Sequence, residues 1–230
     1  MAWGKNAMRE ATKSIISLRR EDKNIPILLL GDAEACKAFA IEGIETREVD
    51  VNPFRKVRRS KRRPDAIEFV HARLFRLLYD LSPFDETLYL DVDTEFITPP
   101  DLAFSFLQDW DFVLAETMQR TVNAYKGDKK EFAWTRWWIG DGNILYHNAG
   151  VFLWRRNEKV RELFRLWFEE WERFENWDSQ VALLRALARS DVLFLTLPHT
   201  WNCYYYEQAF LLWHGFGSKR AWKKPWSNLQ

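Results

Sequence analysis

Apolar positions in this chain alternate between a helical and an extended period. Ala7, Met8, Ala11, Ile15 and Leu18 share one helical face, so 7–20 reads as a helix. IPILLL at 25–30 reads as a buried strand with Pro26 tolerated near its start, followed by a short helix over 34–40 and a strand over 44–51. Ile67, Val70, Leu74, Leu77, Leu78 and Leu81 predict an amphipathic helix over 66–81, stopped by Ser82 and Pro83. Leu88, Tyr89 and Leu90 then form an apolar run without polar alternation, as in a strand covered on both faces. Pro99 and Pro100 open a short helix reaching 107, and 111–115 is a further strand. Residues 117–143 are polar, aromatic and irregular and read as one long loop, a kind of segment that more often carries function than not. Beyond it come a strand over 146–155 and a helix over 157–174 capped by Asn157. A helix over 179–188 capped by Asp178 or Ser179 follows, then strands over 192–197 and 210–213. Strands alternating with helices predict an α/β fold, and with no repeat or linker 1–230 reads as a single domain.

Composition narrows the classes. The chain has 230 residues, 47% hydrophobic and 29% charged, enough for one sizeable core. A formal net charge of +1 excludes a globally basic nucleic-acid binder and an acidic tail protein. Thirteen tryptophans (Trp 13) are many for a soluble protein, and such residues serve both cores and stacking sites. Cys36 and Cys203 make no disulfide framework, which predicts a reducing compartment. Neither a secretory signal pattern nor an apolar run long enough for a membrane span is present, so the expectation is a cytoplasmic enzyme or one retained inside a host cell. One stretch departs from the balanced charge: RKVRRSKRR at 55–63, opening on Arg55 and closing on Arg63, where 7 of 9 residues are basic. It reads either as a solvated, mobile loop or as a patch that contacts the phosphates or acidic groups of a partner.

The candidate chemistry sits where the run at 88–90 ends in Asp91 and Asp93. Residues two apart on a strand point the same way, so the two carboxylates converge. Like charges brought together and partly buried repel, and a hard divalent cation such as Mg2+ or Mn2+ relieves that conflict. Ligands of open α/β sheets usually lie beyond the carboxyl ends of strands, which matches this position. Asp-x-Asp also serves as a turn that caps a strand, and the pair alone does not separate the two uses.

Four more stretches line up with the pair: Arg73 in its helix, His147-Asn148-Ala149-Gly150, Trp177-Asp178-Ser179-Gln180, and His214 to Lys219. In this order the chain resembles the nucleotide-sugar glycosyltransferases of the GT-A fold, and among them glycosyltransferase family 8 and its glycogenin-like relatives. LYLDVDTEF and HNAGVFLW carry the resemblance most specifically, supported by ARLFRLLYDLSPFDETLYLD, LPHTWN and HGFG. It implies a mostly parallel, mixed central sheet flanked by helices. It also implies that Asp91, Asp93 and His214 hold Mn2+ or Mg2+ on the donor diphosphate. Arg73, Asn148, Ala149 and Gly150 would contact the donor, usually a UDP-sugar, and Gln180 would lie near the anomeric carbon.

The sequence departs from the family pattern in three places. Ser179 stands where the family has the Asp of an Asp-Gln pair, with Asp178 one position early. In the closing His-x-x-Gly-x-x-Lys pattern Gly217 is in register, while the last position is Arg220 with Lys219 just before it. Met1-Ala2-Trp3-Gly4 stands where the family has the loop after its first strand, so that strand is expected to be missing or shortened. The activity implied is metal-dependent sugar transfer, with retention, to an acceptor that the 55–63 run predicts to be an anionic glycan or a nucleic acid. A phosphatase with a DxDxT motif is disfavoured because Glu95 stands where that motif needs Thr. The remaining alternative is a polyanion- or nucleic-acid-binding protein on a vestigial glycosyltransferase fold.

Overall fold

A computed structural model describes residues 1–41, 43–50, 55–57, 67–69, 72–124, 128–174 and 179–215, with the backbone alone for 55–57, 67–69, 72–76, 119–120 and 124. At its centre four strands pair in the order β5 (Glu86–Leu90), β8 (Leu145–Arg155), β7 (Phe112–Thr121) and β9 (Phe194–Leu197). β5, β7 and β9 share one direction and β8 runs against them. Only the two end residues of β8 escape burial, which is why its sequence is apolar on both faces. On one face Phe152 and Trp154 pack with Phe112, Phe164 and Trp167. Three helices cover this face: α3 (Ala72–Leu81), α6 (Glu158–Glu172) and α7 (Gln180–Arg189). α6 starts as predicted, with Asn157 Oδ1 accepting from Val160 N at 2.9 Å. On the other face Val113, Val151, Leu153 and Leu197 meet Leu18 of α1 (Gly4–Glu21) and Ala103 of α4 (Asp101–Ser105). Part of the aromatic wealth is core: Trp154, Trp167 and Trp171 are all fully buried.

Two smaller sheets flank the centre. β1 (Ile27–Gly31) and β2 (Ile44–Glu48) form a parallel pair, joined through α2 (Ala33–Ala38). β6 (Thr94–Phe96) pairs antiparallel with β11 (Leu212–His214), which pairs parallel with β10 (Asn202–Cys203). This second group returns the end of the described chain to the end of β5. Both cysteines are free, and no described helix is long and apolar enough to cross a membrane.

Two stretches differ from the sequence expectation. Ile67–Phe69 is not the start of a helix but β4, antiparallel to β3 (Arg55–Val57), and α3 begins at Ala72. Ile-Glu-Phe alternates apolar and polar, so pairing overrode a helical spacing that a short run satisfies equally well. The first three residues of the basic run thus sit in a strand rather than a loop, and 58–63 lie outside the described residues.

The second difference is 117–143, which is no long loop: β7 continues to Thr121, and α5 (Lys129–Ile139) follows. Asp128 Oδ1 caps α5 by accepting from Lys130 N and Glu131 N, each at 2.9 Å, and Gly140 ends it with φ 82. The helix is fixed from below by the fully buried Arg185 of α7. Its Nη1 donates to Thr135 Oγ1 at 2.7 Å, and its Nη2 to Glu131 Oε1 at 2.9 Å. The cap and stop were legible in the sequence, but Trp134, Trp137 and Trp138 blur the helical stripe between them.

Candidate active site

β5 stops where its partner continues. Asp91 N donates to Gly150 O at 2.7 Å, so the aspartates leave the sheet beside the stretch of β8 that overhangs the end of β5. The turn is closed by Thr94 Oγ1, which donates to Asp91 O at 2.8 Å. β6 then pairs with β11, Thr94 opposite His214, and Gly215 N donates to Asp93 O at 2.7 Å. Gly215 turns the chain away with φ 92, a conformation that glycine adopts at no steric cost. The result brings His214 Nε2 to 3.4 Å from Asp93 Oδ1 and 3.7 Å from Asp91 Oδ2. One ligand atom from each of the three residues lies within 4.8 Å of the others.

The shell around this cluster is tightly specified. His214 Nδ1 lies 2.7 Å from Asn202 Oδ1, an acceptor that fixes the proton on Nδ1 and leaves Nε2 facing the carboxylates. The Tyr204 ring stacks on the imidazole at 5.2 Å and 24°. Tyr89 donates its hydroxyl to Asp91 Oδ1 at 3.0 Å. Gly150 forms the inner wall: a Cβ there would stand 2.5 Å from both Asp91 Oδ2 and His214 Cε1, so any side chain would fill the space the ligand atoms face.

The electrostatics follow from this packing. Burial and the neighbouring Asp93 raise the pKa of Asp91 against the opposing pull of His214, the Tyr89 hydroxyl and the Met1 amino group. For Asp93 burial acts in the same raising sense, but the hydrogen bond and charge of His214 outweigh it and the net shift is downward. His214 is pulled down by burial and carried above its ordinary value by Asp93 and Asp91. A proton on His214 therefore competes with any cation for the same two carboxylates. His214 is buried, while the Asp91 and Asp93 side chains keep 43% and 32% of their surface exposed, so the cluster is closed from below and open above. Two carboxylates and one neutral imidazole, with an open side and no room for a Cβ beneath, fit a hard divalent cation such as Mg2+ or Mn2+.

The other residues singled out by sequence divide into three groups. Asn148, Ala149, Gly150 and Gln180 are brought together. Asn148 Oδ1 accepts from Gly150 N at 2.7 Å and its Nδ2 donates to Tyr204 Oη at 2.9 Å. Gln180, the first residue of α7, accepts from Ala149 N at 3.1 Å and donates to Tyr146 Oη at 3.2 Å. Arg73 is carried on α3, its side chain outside the described parts. Asp178, Gly217 and Lys219 lie outside the described residues. Sequence reasoning missed Tyr89, Asn202 and Tyr204. Asn202 ends the LPHTWN segment, and that segment was the one signal available for it.

No protein-family model matches the chain, and no curated protein matches it. Solved structures do. An active-site variant of LgtC superposes with a TM-score of 0.59 at 17% identity, over 86% of this chain and 71% of that one. The galactosyltransferase LgtC in complex with donor and acceptor sugar analogs gives a TM-score of 0.58 at 18% identity, over 86% of this chain and 72% of that one. Mouse xyloside xylosyltransferase 1 gives 0.59 at 13% identity, over 87% and 84% of the two chains. The fold is that of the GT-A glycosyltransferases. At these identities the likeness concerns architecture, and the chemistry of this GT-A chain has to be argued from its own side chains.

Proposed function

We propose that the protein is a metal-dependent glycosyltransferase that moves a sugar from a UDP-sugar, with retention, to an acceptor carrying negative charge. The observation that carries the reading is the Asp91–Asp93–His214 cluster at the carboxyl end of β5, open on one side and walled by Gly150. In this reading the three side chains hold Mn2+ or Mg2+, which when bound neutralises charge growing on the departing nucleoside diphosphate. Asn202 and Tyr204 hold the His214 ring in place, and Tyr89 orients one oxygen of Asp91. Asn148, Ala149 and Gly150 offer small side chains and backbone to the donor sugar. Gln180 is tied to Ala149 N beside that segment, and the resemblance assigns it a place near the anomeric carbon. Arg73, Gly217 and Lys219 are assigned to the donor phosphates, and Asp178 to the sugar, by the resemblance. An amide such as Gln180 is no base, so the leaving phosphate oxygen takes the acceptor proton and the nucleophile attacks from the same face. The acceptor's charge is read from the 55–63 run. A complete cluster and its packed surround favour a working transferase over a vestigial one.

The test is calorimetric titration with UDP, with and without Mn2+, followed by a screen of nucleotide sugars for UDP release. UDP should bind in Mn2+ and lose its affinity in EDTA. Asp93→Asn, which keeps shape and removes one ligand charge, should cut turnover about 100-fold or more with the fold intact. Equal UDP affinity in Mn2+ and EDTA would refute the metal assignment.

A further inference from the structure

α5 is apolar on two sides, and only one of them lies on the core. The helix hangs from a ribbon: Val122 N donates to Ile144 O at 3.2 Å and Asn123 N to Gly142 O at 2.9 Å. On its inner side Phe132 and Ile139 pack with Val122, Tyr146, Val181 and Leu184. Glu131 and Thr135 are buried there too, where Arg185 takes them up. The outer side carries Trp137, 75% exposed, and Trp138, 37% exposed. A helix apolar all round is ordinarily covered all round.

The three indoles of α5 form one group. Trp138 stacks on Trp134 with ring centroids 6.1 Å apart and planes at 6°. Trp137 leans away from Trp134, at 6.4 Å and 52°. Trp134 is held in turn by the edge-on ring of Phe174 and by the Arg173 guanidinium, 5.7 Å from its centroid. Trp138 is therefore propped in place, and Trp137 stands on the crest of the helix.

The charge that α5 turns outward has one sign. Lys129, Lys130 and Arg136 are exposed, and the one acid of the helix, Glu131, is buried against Arg185. Just outside the helix, Asp128 caps its first turn and Asp141 accepts from Asn143 N at 2.8 Å. The exposed side chains of α5 thus supply cations, hydrogen-bond donors and rings, and no acceptor. This chemistry sorts the possible occupants. A second copy on the same face would set cations against cations, because a two-fold contact repeats one patch on both sides. The hydroxyls of a neutral glycan need acceptors as well as donors. Anionic lipid headgroups need what this face has. Cations meet the phosphates, and indoles, apolar in body with a polar N–H, suit the boundary between headgroups and acyl chains. With 11 residues α5 is about 16 Å long, a length that lies along that boundary rather than across the bilayer.

We propose that the outer face of α5 is a membrane-docking face. It seats Trp137 and Trp138 among the headgroups of a bilayer carrying anionic phospholipid, with Lys129, Lys130 and Arg136 on the lipid phosphates. Arg185 and Phe132 fix the helix from beneath, so the face is presented ready-made and little has to be ordered on binding. The docking stands whether or not the protein transfers sugar.

The test is cosedimentation of the full chain with vesicles, one set of phosphatidylcholine alone and one containing roughly a third phosphatidylglycerol. The protein should bind the anionic set at least about tenfold more tightly, and salt should weaken the binding. Trp137→Ser combined with Trp138→Ser should weaken it at least about tenfold. Trp137→Ser alone should weaken it by a smaller factor with Tm unchanged, which keeps the comparison if the double variant fails to fold. Lys129→Ser, Lys130→Ser and Arg136→Ser together should reduce the preference for the anionic set. Undiminished binding by the tryptophan variants would overturn the proposal and move the contact to another basic stretch such as 55–63. Absence of binding to both sets would overturn it as well. So would a dimer that Trp137→Ser breaks up and that anionic vesicles do not displace.

Discussion

Arg185 and the Asp91–Asp93–His214 cluster are both charged groups set into the protein, and they are satisfied in opposite ways. Arg185 is fully buried, and each guanidinium nitrogen has a partner: Nε on Glu170 Oε2 at 2.9 Å, Nη1 on Thr135, Nη2 on Glu131 and on Glu170 O. Arg189 adds a second cation to Glu170. Arg173 Nε lies 3.3 Å from the same carboxylate, so three cations face two carboxylates and the network is closed. The cluster at the end of β5 has two carboxylates facing one imidazole, at 3.4 and 3.7 Å, with the acidic side chains open to solvent. The closed network orders helices; the open one leaves charge for a ligand to complete.

Breaking the closed network gives the largest expected effect on stability. Arg185→Met keeps much of the volume and takes from buried Glu131 the cation that faces it, while Glu170 keeps Arg189 and Arg173. The expected loss is about 3–5 kcal/mol in urea unfolding, with Mn2+ affinity of the folded protein unchanged. Combining it with Glu131→Gln should recover much of that loss. If Arg185→Met left stability unaltered, the two clusters would not differ in the way their geometry says.

A titration sharpens the same contrast. His147 is buried, with Nε2 2.9 Å from Thr196 Oγ1 and its ring edge-on to Phe194, and burial lowers its pKa from 6.5 to about 4. The unfolded chain therefore binds this proton near pH 6.5, while the folded chain resists it until about 4. The stability tied to a neutral His147 is complete above 6.5 and is lost as pH falls towards 4. It amounts to about 3 kcal/mol at most. His147→Phe should flatten that part of the stability–pH curve, and an unchanged slope would assign the acid limb to other groups. His214 shifts the other way because carboxylates face it. Two histidines of one fold thus separate into a packed group and a member of the candidate metal cluster.

The sequence made most of this legible where one principle acted alone. The strand at 88–90, the Asn157 cap and the convergence of Asp91 with Asp93 are local, and each appears, although β5 ends its sheet and only Tyr89 of its apolar run is buried. α5 was hidden because three tryptophans mask its stripe, and it is held by Arg185, some fifty positions away in the chain. β4 was hidden because its partner, not its own spacing, decides its conformation. The surround of His214 was hidden for a similar reason. Asn202 and Tyr204 reach it through the pairing of β10 with β11, and no spacing rule announces such a contact.

Asn202 supplies the finest test of the open cluster. Its Oδ1 holds the proton of His214 on Nδ1, so the lone pair on Nε2 points at the space between the aspartates. Asn202 touches neither carboxylate in this arrangement and acts through the ring. Asn202→Ala removes the acceptor, frees the imidazole to rotate or change tautomer, and should weaken Mn2+ binding about 10–100-fold. Asn202→Asp keeps an acceptor at the same place. It should restore the affinity and raise the pKa of His214, moving the pH at which Mn2+ binding is half lost upward. A residue that merely packs would give the same Mn2+ affinity in both variants once corrected for folded fraction. That result would leave His214 oriented by the Tyr204 stack alone.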